Sequence, residues 1–345
     1  MSVPARSVAV FTRQLSVMID AGLPLVQCLE ILGRQEPHRG LAASIRRVRR
    51  DVEAGSSFAD ALKRHPAIFD ALYANLVAAG ETGGILDTIL KRLAVHIEKN
   101  VRLKRQVKSA LIYPVAVLLV AVLVVAAILW KVIPTFAALF QGLGAPLPGP
   151  TLAVIALSHV VAAYGWMMVA LGVFAAAWMK RYYATPGGRT ALDRRLLRAP
   201  LVGSIVLKVS VARFCRTLST LLASGVPILQ ALDITSRTSG NAIVSQAIRN
   251  TRVGIERGDS IAAPLAATGI FPPLVAQMIS VGESSGALDA MLSKIADFYE
   301  EEVDAAVGGL LALLEPGLVV FLGVVVGGLV IAMYLPIFDL INRVG

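Results

Sequence analysis

Apolar positions along the chain fall into two alternating patterns. Three stretches are almost free of charge: Ser109 to Trp130, Thr151 to Met179, and Ala305 to Leu335, where Glu315 is the one charged residue. The first holds 22 residues. At about 1.5 Å per residue, a helix of that length crosses a hydrocarbon core of roughly 30 Å. Elsewhere apolar residues recur with the helical period. Ile45, Val48 and Val52 share a face that excludes Arg46, Arg47, Arg49 and Arg50. Ile85, Leu86, Ile89, Leu90, Leu93 and Ile97 form a second stripe, echoed by Leu288, Met291, Leu292, Ile295 and Tyr299. No segment alternates with period two long enough for a sheet. The pattern predicts an all-α membrane protein with three transmembrane helices.

The echo is part of a duplication. "FTRQLSVMIDAGLPLVQCLEIL" (11–32) aligns with "FCRTLSTLLASGVPILQALDIT" (214–235), identical at nine of 22 positions. "SIRRVRRDVEAGSSFADAL" (44–62) then faces "AIRNTRVGIERGDSIAAPL" (247–265). After a one-residue slip, "AAGETGGILDTILKRL" (78–93) faces "SVGESSGALDAMLSKI" (280–295). The match continues into the apolar runs, where Pro114 meets Pro316, and Pro134 in "IPTF" meets Pro336 in "LPIF". The repeating unit is therefore a polar domain of about six helices joined to a membrane helix. The second apolar run is an unrepeated connector.

Within each unit, Pro24 and Pro227 follow a Gly-x pair, glycine being suited to closing one helix and proline to opening the next. Ser57, and Asp259 with Ser260, can cap the short fourth helix. The doubled turn Gly80–Asp87 and Gly282–Asp289 reads as a helix joint. Gly80 and Gly282 would supply a left-handed end, and Thr82 and Ser284 would cap the following helix. Glu81 and Glu283 would lie near that helix's positive N-terminus. Gly84, Gly286, Asp87 and Asp289 complete the repeated pattern. An interaction surface is the alternative reading of the same residues. A phosphate loop is excluded, since G-x-x-x-x-G-K-[ST] occurs nowhere, and one Glu with one Asp is too few ligands for a metal.

Charge fixes an expected orientation. Of the 33 Lys and Arg residues, 17 precede the first apolar run and 14 lie between the second and third, while residues 134–150 carry none. The positive-inside rule then predicts residues 1–108 as a first cytoplasmic domain, 109–133 as a span, 134–150 as an external loop and 151–179 as a second span. Residues 180–306 form a second cytoplasmic domain, 307–335 the third span and 336–345 an external tail. No early apolar core suggests a cleaved signal. Cys28 and Cys215 sit at non-equivalent repeat positions and read as inert core sulfur.

Four histidines without metal spacing leave no constellation for an enzyme, and no cofactor is expected. The basic run "RRVRR" (46–50) lacks interleaved aromatics, which favours a solvated face or anionic lipid over nucleic acid. A small oligomeric transporter is the alternative, because duplicated halves occur in transporters. Gly323 and Gly327 fit a close helix–helix approach. Glu315 is expected near the interface, neutral or paired, since a carboxylate at membrane depth costs on the order of 2.5–3.5 kcal/mol. Both a snorkelling acid and a hydrogen-bonding grip on another helix fit it.

Two tandem units each carrying "GE-x-x-G-x-L-D", with Tyr113–Pro114 opening the first span, Glu315–Pro316 opening the third and "AMYLPIF" (332–338) closing it, resemble the type II secretion F proteins and their type IV pilus platform counterparts. The resemblance covers almost the whole chain. It implies an inner-membrane platform without catalytic activity, placed between a cytoplasmic hexameric assembly ATPase and the pilins or pseudopilins it handles. Other inner-membrane assembly proteins and further copies of the chain are implied as partners.

Overall fold

The computed structural model describes residues 3–142, 147–200 and 202–344, and every regular element among them is helical. The first repeat contributes α1 (Ala5–Asp20), α2 (Leu25–Gln35), α3 (Arg39–Glu53), α4 (Phe58–Lys63), α5 (Ala71–Gly83) and α6 (Leu86–Ala127). After a π-helical turn at Ile128–Val132 come α7 (Ile133–Gly142), α8 (Gly149–Tyr183) and α9 (Pro186–Arg198). The second repeat is α10 (Val202–Ala223), α11 (Ile228–Thr238), α12 (Ala242–Glu256), α13 (Ala262–Ala267), α14 (Pro273–Ser285) and α15 (Leu288–Val344). Six helices per repeat match the expected count.

The chain divides into two compact units. One comprises residues 1–106 and 190–305, so both repeats share it; the other comprises 107–189 and 306–345. In the first unit, local chemistry sets the helix ends as expected. Gly22 and Gly225 take positive φ, and Pro24 and Pro227 precede the next helices. Ser57 Oγ accepts from the Asp60 amide, and Ser260 Oγ from that of Ala263. The apolar stripes become core: Ile45, Val48, Ile89, Leu90, Leu93, Leu292 and Ile295 are buried, whereas Ile85 is exposed. Both cysteines are free and buried, and burial pushes both thiols up. One helix was not expected. Buried Asp193 on α9 accepts from the Ala242 amide at the start of α12.

In the second unit, α8 and stretches of α6 and α15 are long and apolar enough to cross a membrane. The expected loop at 134–150 is largely helical: α7 reaches Gly142, α8 begins at Gly149, and residues 143–146 lie outside the described set. The reason is visible at the π-helical turn. There the Ser158 hydroxyl of α8 donates to the Leu129 carbonyl, and Leu129 and Ile133 pack with Leu329 of α15. Thr151 Oγ1 donates to the Ala332 carbonyl at 2.6 Å. Backbone acceptors at membrane depth need such partners. Apolar side chains then hold α7 to its neighbours.

Candidate functional site: the repeated joint and the membrane helices

The duplicated turn is a joint, but its glycines divide the work differently from the expectation. α5 and α14 continue through Gly80 and Gly282, and the left-handed residues are Gly84 (φ 66°) and Gly286 (φ 71°). The Ile85 amide donates back to the Gly80 carbonyl at 3.0 Å, closing the helix end. Thr82 and Ser284 consequently lie inside the last turn and cap nothing downstream.

Gly80 and Gly282 are needed for close approach. A Cβ on Gly80 would sit 3.0 Å from the Ile89 side chain and 3.2 Å from the Leu86 Cα. On Gly282 it would lie 3.0 Å from the Leu288 Cα and from the Met291 Cβ. Gly80→Ala should therefore destabilise the first repeat by about 1–2 kcal/mol through overpacking. Gly84→Ala meets open space and costs about 1 kcal/mol from its left-handed backbone alone. Thermal melts in a double-mutant cycle with Ile89→Ala, which removes the Cγ1 at 3.0 Å, would separate these causes, because only Gly80→Ala should couple to it.

Glu81 and Glu283 also act elsewhere than expected. Glu81 Oε1 accepts from the Phe58 amide at 2.6 Å, and Oε2 from the Ala59 amide at 2.8 Å. Both oxygens of Glu283 lie 3.1 Å from the Ile261 amide. Each carboxylate thus serves the N-terminus of the short helix α4 or α13, satisfying amides that the serine cap leaves open. The repeated Gly-Glu pair locks that short helix to the α5–α6 or α14–α15 joint. Asp87 and Asp289 stand in the first turns of α6 and α15, where the helix dipole favours an acid. Thr82, Gly83, Gly84 and Ile85 remain exposed on the joint's outer rim.

A second duplicated contact escaped the sequence reading. Arg13 makes a bidentate pair with Glu98 at 2.8 and 2.6 Å. At the aligned positions Arg216 reaches Glu300 at 2.9 Å, and it also takes Asp297 at 2.5 Å and Ser293 at 3.3 Å. Lys99 of the first repeat joins this cluster through Asp297 at 2.7 Å and Glu300 at 3.4 Å. The available signal was the "F-x-R" at 11–13 and 214–216, with a glutamate recurring at 98 and 300. Burial opposes ionisation of Asp297, but hydrogen bonds from Lys99 and Arg216 outweigh it and hold the carboxyl below its ordinary range. Beside the cluster, burial and the nearby Arg216 push His96 down to about 4.

In the membrane unit, Tyr113, Pro114 and Glu315 line one open groove of about 270 Å³ between α6 and α15, together with Leu311 and Leu314. Tyr113 and Glu315 are exposed there, and the neighbouring Pro316 is exposed as well. Pro134 is exposed near the start of α7, and Pro336 is buried. A Cβ on Gly323 or Gly327 would meet nothing within 4 Å, so neither glycine mediates packing within one chain. Among the described residues no cluster of three or more His, Cys, Asp or Glu could hold a metal.

The two-repeat organisation of the chain is matched in known proteins. The family model described as type II secretion system (T2SS), protein F matches residues 11–134 and 214–336, which are the two repeats with their following membrane segments. The type IV pilus assembly protein PilC of Myxococcus xanthus is 51% identical over 342 residues, covering 99% of this chain and 82% of the relative. The protein of the same name from Thermus thermophilus is 46% identical, covering 98% of this chain and 83% of the relative. The type II secretion system protein F of Xanthomonas campestris is 36% identical, covering 97% and 83% respectively. With both halves matched separately and the identity sustained along nearly the whole chain, this protein belongs to the type II secretion system protein F family.

Proposed function

We propose that the chain is an inner-membrane platform of a type IV pilus or type II secretion machine, coupling a cytoplasmic hexameric ATPase to pilin or pseudopilin assembly. The observation that carries this reading is the doubled joint. Each copy fixes the start of one long helix, α6 or α15, which runs on into an apolar stretch able to cross a membrane. Motion imposed on a joint would be carried along a helix rather than lost in a loop. In this reading the two repeats face the cytoplasm, where most Lys and Arg residues would lie, and the C-terminus is outside. Relatives are named for assembly and secretion rather than for a reaction, which supports a mechanical role.

Glu315 is placed to grip cargo in this scheme, since its exposed carboxyl lines a groove inside an otherwise uncharged run. The test is complementation of a strain lacking the chain, scored by surface fibres and secreted cargo. The wild-type chain should restore assembly, Glu315→Gln should retain it, and Glu315→Leu should reduce it roughly tenfold or more if a hydrogen bond worth about 1.4 kcal/mol or more is lost. Intact assembly in the deletion strain would refute the platform role. Full activity of an inserted Leu variant would refute only the grip.

A further inference from the structure

The groove between α1 and α6 gathers cations without matching acids. Arg6, Arg13, Arg102 and Arg105 line an open space of about 370 Å³, with Val10 and Val101 as an apolar wall. Glu98 is the acid among its lining residues, and Arg13 takes both carboxylate oxygens, at 2.8 and 2.6 Å. Arg6, Arg102 and Arg105 are exposed, and among the described residues none of the three is paired with a carboxylate. Arg102 also borders an acidic groove that includes Glu301 and Asp304, which makes Arg6 and Arg105 the cleaner probes of the cationic one. Arg6 stands in the first turn of α1, whose N-cap, Pro4, makes no side-chain cap. A cation at the positive end of a helix is unfavourable unless an anion attends it.

The duplication shows that the fold does not require this arrangement. Alignment places Val209 of α10 at the Arg6 position, and Asp304 and Val307 of α15 at the Arg102 and Arg105 positions. The second repeat keeps the inner pair, Arg216 with Glu300 at 2.9 Å, as the counterpart of Arg13 with Glu98. Its Arg213, at the Val10 position, lines the cavity beside His96 instead. The nearby Lys208 is paired with Glu302 at 2.7 Å. The same two helices thus pack in the second repeat without the outer cations. In the first repeat those cations serve something other than the packing.

We propose that this groove seats the phosphate headgroup of an anionic phospholipid. Arg105 precedes the uncharged run at Ser109 by four residues, and four residues reach at most about 14 Å even when fully extended. With that run in the bilayer, the outer cations stand at or beside the headgroups, where anionic lipid concentrates basic segments. Guanidinium groups suit the occupant, since each can present two parallel N–H donors to a phosphate. Val10 and Val101 add apolar surface that the glycerol and upper chain carbons of a lipid cover and that a free inorganic anion does not. Seated there, the lipid bridges α1 to α6 and ties the first repeat to the bilayer surface, a tie the second repeat lacks. The inference rests on α6 crossing a membrane, and on neither the platform role nor the side on which the termini lie.

The test titrates the full chain in mild detergent with phosphatidylglycerol or phosphatidylcholine and counts retained lipid by native mass spectrometry. The wild-type chain should retain phosphatidylglycerol at a roughly tenfold lower concentration than phosphatidylcholine, and Arg6→Gln combined with Arg105→Gln should abolish the preference. Arg47→Gln combined with Arg50→Gln removes the same charge from an exposed face of α3 and should leave the preference intact. An equal loss in that control would reduce the effect to net charge and overturn the groove as its site. Inorganic phosphate at the lipid's own concentration should displace none of it; displacement would overturn a lipid as the occupant. All four arginines are exposed, so unchanged melting curves will show that the variants are folded. Reconstitution into phosphatidylglycerol vesicles separates this proposal from the reading beneath it. A chain that does not enter the bilayer would overturn the crossing by α6, and the proposal with it. A chain that enters and shows no preference between the two lipids would overturn the proposal alone.

Discussion

Arg216→Met should destabilise the unit formed by the two repeats by about 3 kcal/mol, whereas Arg13→Met at the aligned position should cost about 1 kcal/mol or less. The duplication supplies the control, since both arginines leave the first helix of a repeat for a glutamate on its last helix. Their surroundings differ. The Arg216 side chain is 10% exposed and meets two carboxylates and a serine, while the Arg13 side chain is 36% exposed and meets one glutamate. Removing a buried cation leaves partners uncompensated, and costs of roughly 3–5 kcal/mol are usual for fully buried pairs. Asp297 remains 45% exposed and keeps Lys99, which places the expected loss at the lower end. Hydrogen exchange along α10 and the first turns of α15 would measure it. Protection lost equally in both variants would mean that the burial difference between the repeats carries no energetic weight.

The same comparison shows what the sequence could disclose. Period and capping chemistry act locally, so the stripes on α3, α6 and α15 and the starts at Ser57, Pro24 and Pro227 were legible. The joint was legible as a joint, but its internal roles were not. Which glycine takes positive φ depends on how closely α5 approaches α6. That distance is set by Ile89 and Leu86, not by the turn residues. Glu81 was read against the helix next to it in sequence, although its amide partners lie 22 and 23 positions earlier. The π-helical turn at Ile128–Val132 was illegible for a similar reason, since the hydroxyl that satisfies Leu129 comes from α8. A repeat states that two domains share a fold. It does not state which face each turns to the other, and the different burial of His96 and Phe298 had to be seen in three dimensions.

His96 makes that contact sensitive to acid. Asn100 brings its side-chain amide nitrogen to 2.7 Å from Nε2, which makes Nε2 the acceptor and puts the ring proton on Nδ1. Nδ1 is buried without a partner among the described residues. The same cavity is faced by Asp70 and Tyr73 of α5, Arg213 and Thr217 of α10, and Thr238 of α11, while Arg216 acts on the ring electrostatically. Burial and then Arg216 lower the folded value to about 4, against roughly 6.5 for an ordinary histidine. Between those values the unfolded chain binds a proton that the folded chain does not, so stability rises with pH across the window. The contribution is complete above about pH 6.5 and declines by about 1.4 kcal/mol per unit below it, approaching 3 kcal/mol at pH 4. Asp297 acts lower. Its folded value is depressed, so its contribution persists above the ordinary carboxylate range near 3.9 and fades only as pH falls through the folded value. Exchange protection around α6 should therefore drop between pH 6.5 and 4 in the wild-type chain. In His96→Gln, which cannot take up the proton, protection should stay level across that window. An equally steep decline in the Gln variant would assign the acid response to other groups. A level profile in both would mean that water reaches the ring at the contact between the repeats.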